Sequence, residues 1–395
     1  MMNGGKEMSQ KDYSMKFNFP TSWQHGRGLA ANTGSVLKDL NCKNTLLVTD
    51  KLLVDLGVLK PVFESLDGSG IDYTVCDEVT IEPTVNLFES IVGKLDLNSF
   101  DSVVAVGGGS VIDVSKGLSV IAKFGGSIRE YGGLDKVPSR PDWKIIAIPT
   151  TSGTGNEISN GAVFIDESIQ SKFPVISMNV CPTVALTDPE MTKSMPPKVT
   201  ANSGIDALVH AIESYVSKNA SVATEPFAIR AIELIGEGLK PAVANGDDMD
   251  AREAMQLGST MAMASTMNAL LGLCHAMAMP LCAIYHMPHG QACGLVLPHV
   301  LAFNADVEKE KVTNIFKVMG YIDKEAGSDA LTRDCYQKLE GLLSEIGIAM
   351  KLSEHGYQEE HMQKIVTGTL NSVQTQFNPR TPSEEDIVNI VKPII

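Results

Sequence analysis

From Ala254 to Ala305 the chain carries no Asp, Glu, Lys or Arg. A charge-free stretch of that length belongs either in a bilayer or in the interior of a large folded domain. The window 259–285 contains Ser259, Thr260, Ser265, Thr266, Asn268, His275 and Pro280, and it lacks basic flanks and aromatic belts. The reading is therefore a helix buried on all sides in a soluble domain, with no membrane partner. Four of the eight histidines (His275, His286, His289 and His299) fall within the same stretch. Buried imidazoles need partners, so chemistry is expected here.

The remaining composition narrows the function classes. A chain of 395 residues predicts two domains. Asp and Glu number 47 against 32 Lys and Arg, for a net charge of −15. Such a surface repels phosphate backbones, so no nucleic-acid partner is expected. The seven cysteines, Cys42, Cys76, Cys181, Cys274, Cys282, Cys293 and Cys335, are odd in number and include no C-x-x-C pair. A disulfide framework and a cysteine zinc cluster are both disfavoured. The N-terminal MMNGGKEMSQKDYS is neither a signal peptide nor an Arg-rich transit sequence. A reducing cytoplasm is expected, with residues 1–14 disordered.

The first half alternates strands and helices: KNTLLVTD, then KLLVDLGVLKPVFESL; DYTVCDEV, then VNLFESIVGKL; DSVVAV, then a glycine turn and a helix; and finally WKIIAIPT. This order predicts a doubly wound parallel sheet. Around VALTDPEMTKSMPP the pattern changes, and helical candidates follow at 198–217, 222–242, 250–283, 290–305, 309–321, 328–347, 358–371 and 384–392. The expected architecture is α/β plus all-α, with an α/β domain over 1–192 and an all-helical domain over 193–395.

GGGSVIDVSKG (107–117) follows the strand SVVAV and opens a helix. Glycines let a backbone approach a pyrophosphate, and helix-start amides attract its charge. Ile112 makes the match to G-x-G-x-x-G imperfect, and a plain tight turn reads almost as well. PTTSGTGNE (149–157) also follows a strand, and Thr150, Thr151, Ser152 and Thr154 offer hydroxyls to a phosphate or ribose; an ordinary capping loop is the alternative. Asp50 ends NTLLVTD, where a carboxylate can accept from a ribose 2′-hydroxyl and repel a 2′-phosphate. It can equally cap the helix that begins at Lys51.

Asp206 and His210 in GIDALVHAIE lie one helical turn apart on one face. His275 lies on the uncharged helix, and His289 follows Pro288. Three imidazoles and a carboxylate suit one divalent ion, Fe²⁺, Zn²⁺, Mn²⁺ or Co²⁺, with room for a substrate oxygen. Taken singly, each histidine reads as a satisfied core residue; a buried Asp, however, must be neutralised.

Together GGGSVIDVSKG, PTTSGTGNE, GIDALVHAIE and GLCHAMAMPLCAIYHMPHG resemble the iron-containing (group III) alcohol dehydrogenases, from about residue 17 to 390. The resemblance implies an N-terminal dinucleotide-binding domain and a C-terminal helical metal domain, an architecture like that of dehydroquinate synthase. It puts the metal ligands on Asp206, His210, His275 and His289. The pyrophosphate loop falls on Gly107, Gly108, Gly109, Ser110 and Asp113. Nucleotide contacts fall on Thr150 and Thr151 with Lys172 nearby, and the residue favouring NAD over NADP falls on Asp50; Thr154 joins the cofactor-binding candidates as a hydroxyl of the same loop. The implied cofactors are NAD and one divalent metal, Fe²⁺ first with Zn²⁺ or Mn²⁺ as substitutes. The implied assembly is a homodimer or larger homo-oligomer.

Two departures from the family pattern bear on the substrate. Met279 stands where members carry a second histidine in H-x-x-x-H, and Leu270 stands in Asn268-Ala-Leu270-Leu-Gly where NAGLG is usual. Larger apolar groups there predict a short substrate, with Asn156, Asn160, Phe164, Leu270 and Met279 lining the pocket. The expected reaction is reversible hydride transfer between nicotinamide C4 and a short-chain, polar aldehyde or primary alcohol. A cation lowers the pKa of a water it holds by roughly 9, worth about 12 kcal/mol. A general base adds about 3–5 kcal/mol. Met279 therefore tunes the proton step without abolishing catalysis, and His286, three residues before His289, is the candidate proton carrier. An anionic substrate group would need a cation, for which Lys172 and Arg230 are the candidates. A dehydroquinate-synthase-like lyase, a glycerol-type dehydrogenase and a silent metal-binding paralogue remain as alternatives.

Overall fold

Short β-branched runs, each followed by an amphipathic segment, build the first half of the chain. In this computed structural model, which describes residues 15–168 and 171–395, they give in order β1 (Ser22–His25), α1 (Thr33–Asp39), β2 (Asn44–Val48), α2 (Lys51–Asp55), α3 (Lys60–Ser69), β3 (Asp72–Cys76), α4 (Val85–Lys94), β4 (Ser102–Gly107), α5 (Gly109–Phe124), β5 (Gly133–Leu134), β6 (Lys144–Pro149), β7 (Gly161–Asp166), β8 (Ser171–Ile176) and β9 (Val184–Thr187). The expected disorder of residues 1–14 lies outside the described residues.

Six strands form one parallel sheet in the order β1-β9-β6-β4-β2-β3. In β4, Val103 and Ala105 enter one core while Val104 and Val106 enter another, so both faces are covered. That explains why the strand reads as a continuous apolar run. The chain runs outward from β2 to β3 on one side and from β4 to β6 on the other. The direction reverses between β2 and β4, and the crevice beyond such a reversal is where doubly wound sheets bind ligands.

Three features depart from the sequence reading. A second sheet, β5-β8-β7, contains the antiparallel pair β7/β8, with Gly161 opposite Ile176. Its strands were not anticipated: Pro174 interrupts β8, and polar residues occupy much of FIDESIQSKF. β1 and β9 were likewise not read as strands, being only four residues each. The third departure concerns helix ends in the second half, which contains α6 (Pro197–Val216), α7 (Glu225–Ala244), α8 (Met249–Ala269), α9 (Leu273–Tyr285), α10 (His289–Val318), α11 (Arg333–Glu345), α12 (His361–Leu370) and α13 (Glu384–Val391).

The helix expected over 250–283 is two helices, α8 and α9, bent by 103° at Leu270–Gly272. Conversely, 290–305 and 309–321 join into α10, irregular only at Glu308. Among the described residues no single helix is long and apolar enough to cross a membrane, and the uncharged stretch is largely buried among the other helices. Residue 192, the expected domain boundary, falls in the connector between β9 and α6.

Candidate metal and dinucleotide site

Helix α6 starts at a Pro-Pro pair and presents Asp206, His210 and Glu213 at i, i+4 and i+7. All three are buried: 5%, 7% and 2% exposed. Helix α9 contributes His275, and α10 contributes His289 as its first residue. The approach of α10 to α6 depends on Gly290, because a Cβ there would lie 1.8 Å from the Asn202 carbonyl oxygen. Any other residue would push His289 away from Asp206.

Asp206 Oδ1 lies 3.6 Å from His275 Nε2 and 3.7 Å from His289 Nε2, and Asp206 Oδ2 lies 3.9 Å from His210 Nδ1. The first two separations are close to the edges of about 3.4 Å that a tetrahedral site with ligand bonds of about 2.0–2.1 Å would show. Buried Asp206 Oδ1, His275 Nε2 and His210 Nδ1 have no hydrogen-bond partner among the described residues. Leaving three such atoms dry and unpaired is costly. A divalent cation among them removes that cost, and the donor set therefore fits one.

The supporting contacts orient the ligands. Glu213 Oε2 sits 2.7 Å from His275 Nδ1, which leaves Nε2 turned toward Asp206. The same carboxylate accepts from the Gly272 and Cys274 amides at 3.0 and 2.5 Å, capping α9. The sequence reading missed Glu213. Its spacing from His210 in GIDALVHAIE was the available signal.

The charges around the cluster suit a cation. Burial pulls His210 down to about 4 and His289 to about 3, so both imidazoles are neutral at pH 7. Burial would also lower His275, but Glu213 and Asp206 on its two sides outweigh it and lift it to about 9. Burial would raise Asp206, and the surrounding imidazoles instead hold it below the usual carboxylate range.

The turn after β4 forms the second candidate site. Gly107 ends the strand, and Gly108 is the N-cap of α5 without a side-chain cap bond. The turn packs against the loop after β6: Thr150 N donates to Gly107 O at 3.1 Å, and a Cβ on Gly109 would lie 3.2 Å from Thr154 Oγ1. The uncapped start of α5 and this narrow cradle fit a pyrophosphate. Ser110 Oγ accepts from Glu82 N, and Thr151 packs at Gly108.

Asp113 is buried and accepts from Asn156 Nδ2 at 2.6 Å. Burial raises it to about 7, against the pull of Lys116 and Asn156. Lys116, also missed, is fully buried and donates to Asn156, Ser159 and Gly161 at 2.6–3.0 Å, tying α5 to the second loop. Asp50 ends the β2 connection and caps α2, accepting from Leu53 N at 2.9 Å. Lys172 on β8 is partly exposed, 3.9 Å from Glu82, and its charge reaches Asp113, Cys282 and His289.

Not every expected pocket residue faces the cleft. Phe164 is fully buried against Phe88, with ring centroids 5.1 Å apart, and packs on Gly117 in the sheet core. It is a packing residue, and the apolar period of β7 accounts for it. The Asn156 side chain is spent on Asp113, Gly109 and Lys116, so it braces the loop and lines no pocket. Asn160 is partly exposed, and its carbonyl accepts from Ser177. Leu270 sits at the α8/α9 break, and Met279 lies one turn after His275, 39% exposed. His286 is exposed at the C-cap of α9 with φ 51°. Arg230 pairs with Glu233 on α7, which leaves Lys172 as the cation closer to the cluster.

Residues 20–189 match the family model "iron-containing alcohol dehydrogenase", and residues 200–395 match "Fe-containing alcohol dehydrogenase family, C-terminal". The chain is 35% identical to an NAD-dependent methanol dehydrogenase of Bacillus methanolicus over 376 residues, covering 95% of this chain and 98% of that protein. It is 35% identical to a lactaldehyde reductase of Escherichia coli over 373 residues, covering 94% and 96%. Among solved structures, a 1,3-propanediol oxidoreductase superposes with a TM-score of 0.91 at 31% identity, covering 97% of this chain and all of the other.

Proposed function

We propose, from the premise that this chain belongs to the iron-containing alcohol dehydrogenase family, that it is an NAD(H)-linked alcohol dehydrogenase and aldehyde reductase acting on short, polar aldehydes or primary alcohols. The observation that carries the reading is the convergence of unpartnered Asp206 Oδ1 and His275 Nε2, joined by His289, in a chain that also has an uncapped glycine turn at the start of α5. When bound, NAD carries the hydride, and a divalent cation, Fe²⁺ first with Zn²⁺ or Mn²⁺ as substitutes, polarises the substrate oxygen.

The chain's own residues do the rest. Asp206, His210, His275 and His289 hold the cation, and Glu213 fixes the His275 ring. The start of α5 and the Thr150–Thr154 loop seat the pyrophosphate, and Lys116 keeps the two segments locked together. Asp50 faces the ribose end and disfavours a 2′-phosphate. Leu270 and Met279 narrow the substrate end, which supports a short substrate. His286 is placed to exchange protons with solvent from the exposed end of α9; His286→Gln is expected to shift the pH profile of the rate, and an unchanged rate and profile would remove this role.

The lyase alternative would need clustered cations for a polyanion, and the uncharged stretch 254–305 supplies none. We further place the enzyme in a reducing cytoplasm as a homodimer or larger homo-oligomer. Its cysteines are all free, and β1 leaves one edge of the sheet open among the described residues.

The test is a panel of short aldehydes with NADH and NADPH, after chelation and refilling with Fe²⁺, Zn²⁺ or Mn²⁺. Chelation is expected to abolish turnover and refilling to restore it, with NADH preferred. Turnover that survives complete chelation would overturn the reading.

A further inference from the structure

We propose that Glu82 is a counter-ion which the cofactor must displace: it pairs with Lys172 until the dinucleotide pyrophosphate takes that cation from it, so Glu82 weakens NADH binding and eases release. The inference rests on the reading above in taking NAD(H) to bind at the start of α5, and it names a residue that sets how tightly. Glu82 lies in the loop between β3 and α4. Its backbone N–H donates to Ser110 Oγ at 3.1 Å, which fixes it to the first turn of α5, inside the candidate pyrophosphate turn. The next residue, Pro83, accepts from Ile165 N at 3.0 Å. Between these two anchors Glu82 takes φ 53°, a left-handed conformation that Gly and Asn enter more readily. A strained residue held against a ligand seat calls for a functional reason.

The geometry supplies one. Lys172 on β8 stands opposite Ile165 on β7, so the lysine and the anchor of the Glu82 loop share one register position. Lys172 Nζ lies 3.9 Å from Glu82 Oε1, and both side chains reach solvent. A loose, exposed pair of this kind costs little to break. The charge of Lys172 also reaches Asp113 on α5. The other cation acting on Asp113, Lys116, is buried and spent on Asn156, Ser159 and Gly161, which leaves Lys172 to meet a phosphate. A pyrophosphate brings two negative charges and outcompetes one carboxylate for the ammonium. The broken pair is charged against binding, and looser binding speeds a release step that limits turnover in many dehydrogenase-like enzymes.

The test is NADH binding to the full metal-loaded chain, followed by nicotinamide fluorescence at about 0.1 M and about 1 M salt, between which the screening length falls from about 10 Å to about 3 Å. Glu82→Gln is expected to tighten binding by about 2–5-fold at the lower salt, and the gain is expected to disappear at the higher. Glu82→Asn, which suits the left-handed turn and removes the charge, is expected to behave alike. Lys172→Met is expected to weaken binding. In that background the gain from Glu82→Gln is expected to shrink, because the pair that binding breaks is already gone. Neutral variants that bind NADH no tighter than the native chain at the lower salt, or a gain undiminished by Lys172→Met, would overturn the proposal and leave the function standing. A native chain that binds neither NADH nor NADPH would overturn both.

Discussion

Asp50 has two oxygens, and the proposed ribose contact needs only one. Oδ1 accepts from Leu53 N at 2.9 Å and caps α2, which leaves the other oxygen for a ribose hydroxyl. The two sequence readings of this residue are therefore compatible. Asp50→Ser separates them, because Ser keeps the cap and removes the charge. The expected outcome is a loss of at least about tenfold, about 1.4 kcal/mol, in the preference for NADH over NADPH in kcat/KM. Little change in melting temperature is expected, and an unchanged preference would show that the carboxylate only caps. Asp206 and His210, two of the proposed ligands, stand out in the sequence because they repeat at one helical turn. Glu213 was not read, because a single acid on a buried helix has no pattern of its own until its partner, His275, 62 positions away, is brought against it. Lys116 was hidden in the same way: its partners belong to a loop some 40 residues on.

At the scale of elements, β2, β4 and β6, buried on both faces, were read as strands, and so was the more exposed edge strand β3. Of those missed, β7 and β8 form a small antiparallel pair whose polar positions resemble a loop, and β1 and β9 are only four residues each. The α8/α9 break was missed because Asn268-Ala-Leu270-Leu-Gly continues the apolar helical pattern without proline. What ends α8 is conformational: Leu270 takes φ 66° and ψ 173°, a region that only glycine enters freely. Glu213 and Asn378 then accept the first amides of α9. Strain of about 1–3 kcal/mol at such a position persists only where the surroundings impose it. Leu270→Gly is expected to release that strain and remove one wall of the substrate end. The melting temperature should not fall, and kcat/KM should rise for longer aldehydes relative to the shortest. An unaltered chain-length profile would take Leu270 out of the pocket.

For the whole molecule, the cation is a cross-link as well as a reagent. Its proposed ligands come from α6 and, past two intervening helices, from the consecutive α9 and α10, and Glu213 joins α6 to α9. Without the cation, three buried polar atoms lack partners. Binding to the folded state alone stabilises it by about 4 kcal/mol when free metal stands at 1,000 times its Kd. For a helical half of this size that corresponds to about 8–16 °C in melting temperature. Chelation is expected to lower the melting temperature by that amount and added Zn²⁺ to restore it. Glu213→Gln loosens the His275 ring and should weaken binding by about 10–100-fold. At the same metal concentration, the gap between loaded and stripped protein then narrows by about 1.4–2.8 kcal/mol, or roughly 3–11 °C. If elemental analysis followed zinc off and back onto the native chain while its melting temperature stayed fixed, the three helices would be held by packing alone.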